Sequence, residues 1–207
     1  DALLYRYILP VVDFVVVSLY CFYDAPGAVY YMASNVQENF QRVSDCGAEK
    51  PIYAYVWLRY HNSNKKLDCR ETDDFLAEAM AVVPYFCGAK ATVLWGWEPK
   101  GEGPYYRNLP IFMDGLRRIA AISEKLGAST PVTTKPVHQM WKNKEPLLLV
   151  MRYSATEQFV LLANPWQKDE TETTIEFAVG AKTIPLSVRG RHCALYRIAD
   201  GKAGRIE

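Results

Sequence analysis

Two runs dense in aromatic and β-branched residues constrain this chain most: Pro51-Ile-Tyr-Ala-Tyr-Val-Trp-Leu-Arg-Tyr-His61 and Ala91-Thr-Val-Leu-Trp-Gly-Trp-Glu98. Each reads as a buried strand ending in a polar cluster. A long helical segment separates them, and strands joined through such a crossover are expected to lie parallel in one sheet. The carboxyl ends of parallel strands are where α/β folds build ligand sites. An aromatic floor with a few placed charges suits a sugar ring or another flat polar ligand.

Around these runs, residues 1–127 alternate strand and helix. Asp13 to Asp24 is a Val-rich strand bounded by Ala25-Pro26-Gly27. Val29 to Val43 has helical spacing and closes at Asp45-Cys46-Gly47, with Gly47 in the usual C-terminal role. After the second strand comes the polar loop His61 to Asp68, then a helix from Thr72 to Tyr85. Thr72 is the expected N-cap, with Asp73 and Asp74 favourable in the first turn. The third strand follows Gly88, and a Gly/Pro-rich loop, Pro99 to Pro104, leads to a helix over Pro110 to Leu126 with Asn108 as its expected cap. The strands are apolar on both faces, as parallel strands covered by helices should be.

From Ala128 onward helices disappear from the pattern. Leu147 to Tyr153, Gln158 to Ala163, Thr171 to Ala178, Thr183 to Val188 and Cys193 to Ile198 read as short strands punctuated by Asn164-Pro165, Gly180 and Arg189-Gly190. Residues 128–207 are therefore expected to form a small antiparallel β-sandwich domain. A three-stranded parallel sheet alone leaves two open edges, which a closed eight-stranded barrel removes, but such a barrel takes about 250 residues. The chain has 207. The expected fold class is thus α/β followed by all-β: the last three βα units of a (β/α)8 barrel (1–127), then the sandwich. The earlier strands would be missing or supplied by another segment. The start at Asp1, with no initiator Met or signal-like stretch, also suggests a chain cut from something longer.

The formal net charge of +1 gives no electrostatic argument for nucleic acid or an anionic membrane as partner. No run of 18 apolar residues exists, so nothing in the sequence reads as a membrane span. Five cysteines without a CxxC spacing indicate neither a disulfide framework nor a zinc site; Cys87 and Cys193 read as small core residues. GxGxxG, P-loop, GxSxG and HExxH patterns are absent, so no cofactor is expected and a Ser/His/Asp hydrolase has no support. The redox compartment stays open; an extracellular or periplasmic setting is favoured.

Candidate chemistry gathers at the strand ends. Tyr20, Phe22, Tyr23 and Asp24 follow the first strand; Tyr55, Trp57, Arg59, Tyr60 and His61 end the second; Trp95, Trp97 and Glu98 end the third. Side-chain direction alternates along a strand, so Tyr53, Tyr55, Trp57, Arg59 and His61 share a face. Tyr55, Trp57, Arg59, His61, Trp95 and Trp97 are the expected saccharide-binding set, with Trp95 as its floor. Asp24 and Glu98 form the one attractive carboxylate pair, and glycoside cleavage needs two such groups. The same residues also read as a turn aspartate before Ala-Pro-Gly and a loop charge before Pro99. His61 is either an acid/base group or a solvated loop histidine, and Arg59 needs an anionic partner from the core or from a ligand. Tyr105 and Tyr106 are plausible rim residues. Trp141 and Trp166 read as packing residues that could instead bind carbohydrate, and His138 and His192 as structural.

Pro51-Ile-Tyr-Ala-Tyr55 and Ala91-Thr-Val-Leu-Trp95-Gly96 resemble the last two barrel strands of the hyaluronidase-like glycosidases. In that family the seventh strand ends in an active-site tyrosine and the eighth carries a tryptophan followed by glycine. The resemblance, which covers Asp1 to about Leu126, implies substrate-contacting roles for Tyr55 and Trp95. It also implies that the catalytic acid lies on an earlier strand, to which nothing here corresponds, so these residues alone would be inactive. The expected function is the aromatic wall of a glycoside hydrolase acting on an oligosaccharide or polysaccharide. The alternative is a non-catalytic carbohydrate-binding or structural protein.

Overall fold

The computed structural model describes residues 2–96, 106–180 and 182–207. In chain order its elements are α1 (Ala2–Ile8), β1 (Val15–Ser18), α2 (Gly27–Asp45), β2 (Ile52–Val56), α3 (Asp74–Phe86), β3 (Ala91–Leu94), α4 (Leu109–Ala120) and α5 (Ser123–Gly127). Then follow β4 (Thr130–Val132), α6 (Val137–Lys142), β5 (Leu147–Arg152), β6 (Glu157–Ala163), β7 (Glu172–Val179), β8 (Lys182–Arg189), β9 (Cys193–Ala199) and β10 (Lys202–Ile206).

Strands β1, β2 and β3 pair in parallel in that order, with Val17 opposite Ala54 and Ala54 opposite Thr92. Right-handed crossovers between strands laid down in sequence order put both connecting helices on one face. That face carries Val17, Ile52, Ala54 and Val56, all buried. The opposite face carries Val16, Tyr53, Tyr55 and Val93, and Val16 is 49% exposed. Strands apolar on both faces were expected; helices cover one face, and the other stays partly exposed.

Helix α3 is apolar nearly all round: Phe75, Leu76, Ala77, Met80, Val82, Val83 and Phe86 are all buried. Such a helix needs cover on every side. It contacts β3 and α2, then α4, then β5, β6 and β9. Helix α4 comes close through Gly115, where an added Cβ would sit 2.6 Å from the Ala81 Cβ. The N-cap of α3 is Asp73, whose Oδ1 accepts the Leu76 N–H at 2.7 Å. Thr72, the expected cap, is buried one residue earlier and receives the Asn108 side-chain amide at 3.0 Å. Asn108 stands at the N-cap of α4 but makes no side-chain cap bond; its amide nitrogen instead donates to Thr72.

The antiparallel sheet runs β10-β9-β6-β5-β4. Its central strands alternate between two buried layers. Leu147, Leu149, Phe159, Leu161 and Leu195 join the cluster around α3, whereas Val150, Val160, Leu162, Ala194 and Ile198 meet Phe177, Leu186 and Val188 of the β7–β8 ribbon.

These observations overturn the expected fold class. Among the described residues no barrel closes: β1 and β3 each pair on one side only. Nor does an all-β sandwich follow an α/β half. Helix α6 lies between β4 and β5, and the five-stranded sheet shares one apolar cluster with α2, α3 and the parallel sheet. The chain is mixed α/β, its described residues forming one three-stranded parallel sheet and antiparallel sheets of five and two strands. The physical reason is α3, whose far side is covered by the five-stranded sheet, so helices and both kinds of sheet build one core.

Candidate functional site

Beyond their regular hydrogen bonding, the three parallel strands continue as ordered backbone. Leu19 N–H bonds the Tyr55 carbonyl, His61 N–H the Cys21 carbonyl and Trp95 N–H the Val56 carbonyl, each at 2.8 Å. These bonds carry Tyr20, Trp57, His61 and Trp95 to the carboxyl end of the sheet. There they line a cleft of about 300 Å³ together with Asn62 and Cys69.

Its walls are held edge to face. Tyr20 meets the Trp57 ring at 5.9 Å and 67°, and Tyr55 meets Trp95 at 5.6 Å and 89°. Aromatic pairs prefer such geometry, because the electron-poor edge of one ring faces the electron-rich face of the other. Trp95 is pinned at both backbone groups, its N–H on Val56 and its carbonyl accepting the Tyr106 hydroxyl at 2.9 Å. Even so, it remains 38% exposed, whereas Trp57 is 5% exposed. Trp57 is therefore wall and core at once, and Trp95 offers an accessible ring.

Polar groups complete the cleft. The Ser63 backbone N–H donates to His61 Nδ1 at 3.2 Å, which assigns the ring proton to Nε2 and makes that nitrogen a donor. The His61 ring itself packs between Tyr20 at 5.6 Å and Phe22 at 4.8 Å. Burial, and after it the charge of and hydrogen bond with the neighbouring Tyr55, push the Tyr20 phenol above its ordinary range. Asn62 is exposed at the rim.

The structure divides the expected site residues. Trp57, His61 and Trp95 line the cleft; Tyr55 supports it from beneath through its contacts with Tyr20 and Trp95. Arg59 does not face it. Its Nη1 donates to the Cys69 carbonyl at 3.0 Å, its Nη2 lies 3.7 Å from Glu71, and the guanidinium sits 5.4 Å from the Tyr106 ring centre. Its anionic partner is Glu71, a half-buried carboxylate of the loop after β2. Asp24 lies apart from the cleft lining, where its Oδ1 accepts the Tyr60 hydroxyl at 2.9 Å and the Ala25 N–H at 2.8 Å. Trp97, Glu98 and Tyr105 lie outside the described residues. Tyr106, expected at the rim, is buried.

Two lining residues escaped the sequence reading. Asn62 and Cys69 belong to the polar loop after β2, which folds back on itself through Asn64 N–H to His61 O and Arg70 N–H to Leu67 O. Asn64 also anchors the loop to the segment after β1, donating to the Phe22 carbonyl at 2.8 Å. A run of polar residues after a strand places a loop, but its return toward the sheet has no sequence signal.

A larger cleft, about 710 Å³, lies where α3 and α4 meet β9. Its charges are largely spent on one another. Arg118 Nη2 meets Glu78 Oε1 at 2.5 Å, Arg107 meets Asp74 at 3.2 Å and Arg191 meets Asp73 at 3.7 Å. Glu78 Oε2 accepts the Cys193 N–H at 3.1 Å, and Arg118 Nη1 donates to the Cys193 carbonyl at 2.8 Å. This is a structural junction, and size alone does not make it the better site. Elsewhere, Trp141 and Trp166 meet with ring centres 5.1 Å apart at a tilt of 32°; Trp166 Nε1 donates to the Tyr30 hydroxyl at 2.9 Å, and Trp141 remains exposed.

Among the described residues no three His, Cys, Asp or Glu side chains gather closely enough to hold a metal, and no helix is long and apolar enough to cross a membrane. No family model and no curated protein matches this sequence.

Proposed function

We propose that this chain binds a saccharide in the cleft at the carboxyl ends of β1, β2 and β3. The observation that carries the reading is the convergence of Tyr20, Trp57 and Trp95 with His61 and Asn62 on one open cleft. A pyranose ring has an apolar C–H face and a rim of hydroxyls; the first stacks on an indole, the second needs a few fixed donors and acceptors. Trp95 supplies the accessible ring, and His61, Asn62 and the Tyr20 hydroxyl supply the polar partners. The volume sits at the lower end of small-molecule sites, about 300–1,000 Å³, which suits a short stretch of sugar.

Glycoside hydrolysis, the activity implied by the resemblance, asks for more. Two carboxyl groups must flank the scissile bond, about 5–9.5 Å apart. Asp24 stands apart from the cleft, so hydrolysis here would draw its carboxylates from outside the described residues. The proposal is therefore for binding.

Affinity electrophoresis through gels containing soluble polysaccharides tests it. Retardation of the wild-type chain that drops roughly tenfold or more in affinity in Trp95→Ala is the expected result, the size of a lost aromatic contact plus its buried area. Equal migration of the two proteins in every gel refutes the reading.

A further inference from the structure

Resting on the saccharide reading, we infer that the ligand of this cleft is an uncharged sugar chain and that acidic sugars are excluded. Among the described residues the lining consists of Tyr20, Trp57, His61, Asn62, Cys69 and Trp95, with no lysine, arginine, aspartate or glutamate. A sugar carboxylate or sulfate entering this space gives up water against aromatic walls. It then needs a cation, or several donors aimed at it, to recover what desolvation costs.

Arg59, the one cation expected here from sequence, cannot serve. Its side chain is only 16% exposed, and its guanidinium is committed to the Cys69 carbonyl, to Glu71 and to the Tyr106 ring. Swinging it toward a ligand would break all three contacts and strip Glu71 of a partner in a poorly hydrated spot. The groups that remain are matched to hydroxyls: the His61 Nε2–H, the Tyr20 phenol and the Asn62 amide, which both donates and accepts. Hydroxyls need no counter-charge, so an uncharged chain satisfies these partners without leaving an ion buried.

Calorimetric titration of the whole chain with glucose and N-acetylglucosamine oligomers, against galacturonate oligomers of equal length, tests this at low and high salt. The expected result is binding of an uncharged series, unchanged by salt, with the uronates roughly tenfold or more weaker. Uronates that bind as tightly, loosen as salt rises and lose binding in Trp95→Ala overturn the inference while leaving the saccharide site standing. If neither series binds, or a Trp95→Ala chain with a native circular dichroism spectrum binds both unchanged, the saccharide reading itself fails and the inference falls with it. Asn62→Arg adds a second arm by placing a cation at the exposed rim. It should raise uronate affinity; no rise means that a missing cation is not what excludes acidic sugars.

Discussion

Replacing Arg118 with Met tests whether the junction of α3, α4 and β9 depends on a buried ion pair. The substitution removes the 2.5 Å contact with Glu78 and the 2.8 Å bond to the Cys193 carbonyl. It leaves a carboxylate that is only 10% exposed, held by the Cys193 N–H and facing His192 at 3.4 Å. Removing one partner of a buried pair costs about 3–5 kcal/mol, because the other charge stays buried without compensation. The two contacts that Glu78 keeps place Arg118→Met near the lower end, about 3 kcal/mol. Glu78→Met strands Arg118 in the same way and should cost a similar amount. The double variant has no stranded charge; it loses the side-chain partners of the Cys193 N–H and carbonyl, each worth about 1.5 kcal/mol, toward the lower end of the cost of an unpaired buried polar group. Its cost should therefore be about 3 kcal/mol, well short of the sum of the singles, which leaves a coupling of about 3 kcal/mol. Urea denaturation of the four proteins, with slopes compared as well as midpoints, gives the cycle directly. Additive losses, or single variants that lose less than about 1 kcal/mol, would refute the argument that a buried, mutually dependent pair holds this junction.

The same carboxylate makes stability depend on pH through His192. Its hydrogen bond to Glu78 raises the imidazole pKa above 6.5, with burial opposing. A raised folded-state pKa contributes stability that is complete below about 6.5 and is lost as pH rises through the raised value. The thermal midpoint should fall across that window, and His192→Asn should flatten the fall; an unchanged slope excludes His192 as the cause. Trp57→Ala should cost about 3–5 kcal/mol as a core truncation, whereas Trp95→Ala should cost distinctly less, since 38% of Trp95 is already exposed. Equal losses on chemical denaturation would contradict the division between core wall and accessible ring. Gly88 has φ +101°, and a Cβ there would lie 2.4 Å from the Phe40 ring, while Gly47 has φ +65° with open space around it. Gly47→Ala should cost about 1 kcal/mol of backbone strain, and Gly88→Ala that plus about 1–3 kcal/mol of overpacking. A Gly88→Ala protein as stable as Gly47→Ala would refute the clash.

Parts of this architecture were legible in advance. The long helices and the central strands announce themselves through local periodicity, and the crossover between the runs at Pro51 and Ala91 implied the parallel pairing of β2 with β3. The short elements α1, β4, α6 and β10 were not anticipated, because three to seven residues hold too few repeats of any period. The Asp13–Asp24 strand shrank to Val15–Ser18, and its tail continues as irregular chain in which Leu19 and Cys21 are buried and Tyr23 is exposed. At the site, Trp57, His61 and Trp95, grouped in advance from their position at strand ends, line one cleft. Their different fates were not readable: two tryptophans in similar sequence settings end at 5% and 38% exposure. Arg59 was read as needing an anion, and it has one, Glu71, contributed by the far side of a loop.

By itself the sequence determined the kind of each long element, the parallel sense of the strands around α3 and the gathering of aromatic residues at their carboxyl ends. These depend on residue spacing and on the reach of a single crossover, which act between near neighbours in the chain. Only the tertiary structure decided which face of the parallel sheet stays open and which strands cover the far side of α3. It alone decided which rings face a cleft and where each buried charge finds its partner. Those outcomes rest on contacts between distant segments, such as Arg118 with Cys193 75 residues away and Asn108 with Thr72 36 residues away. No local pattern encodes them, because each depends on the whole core having packed.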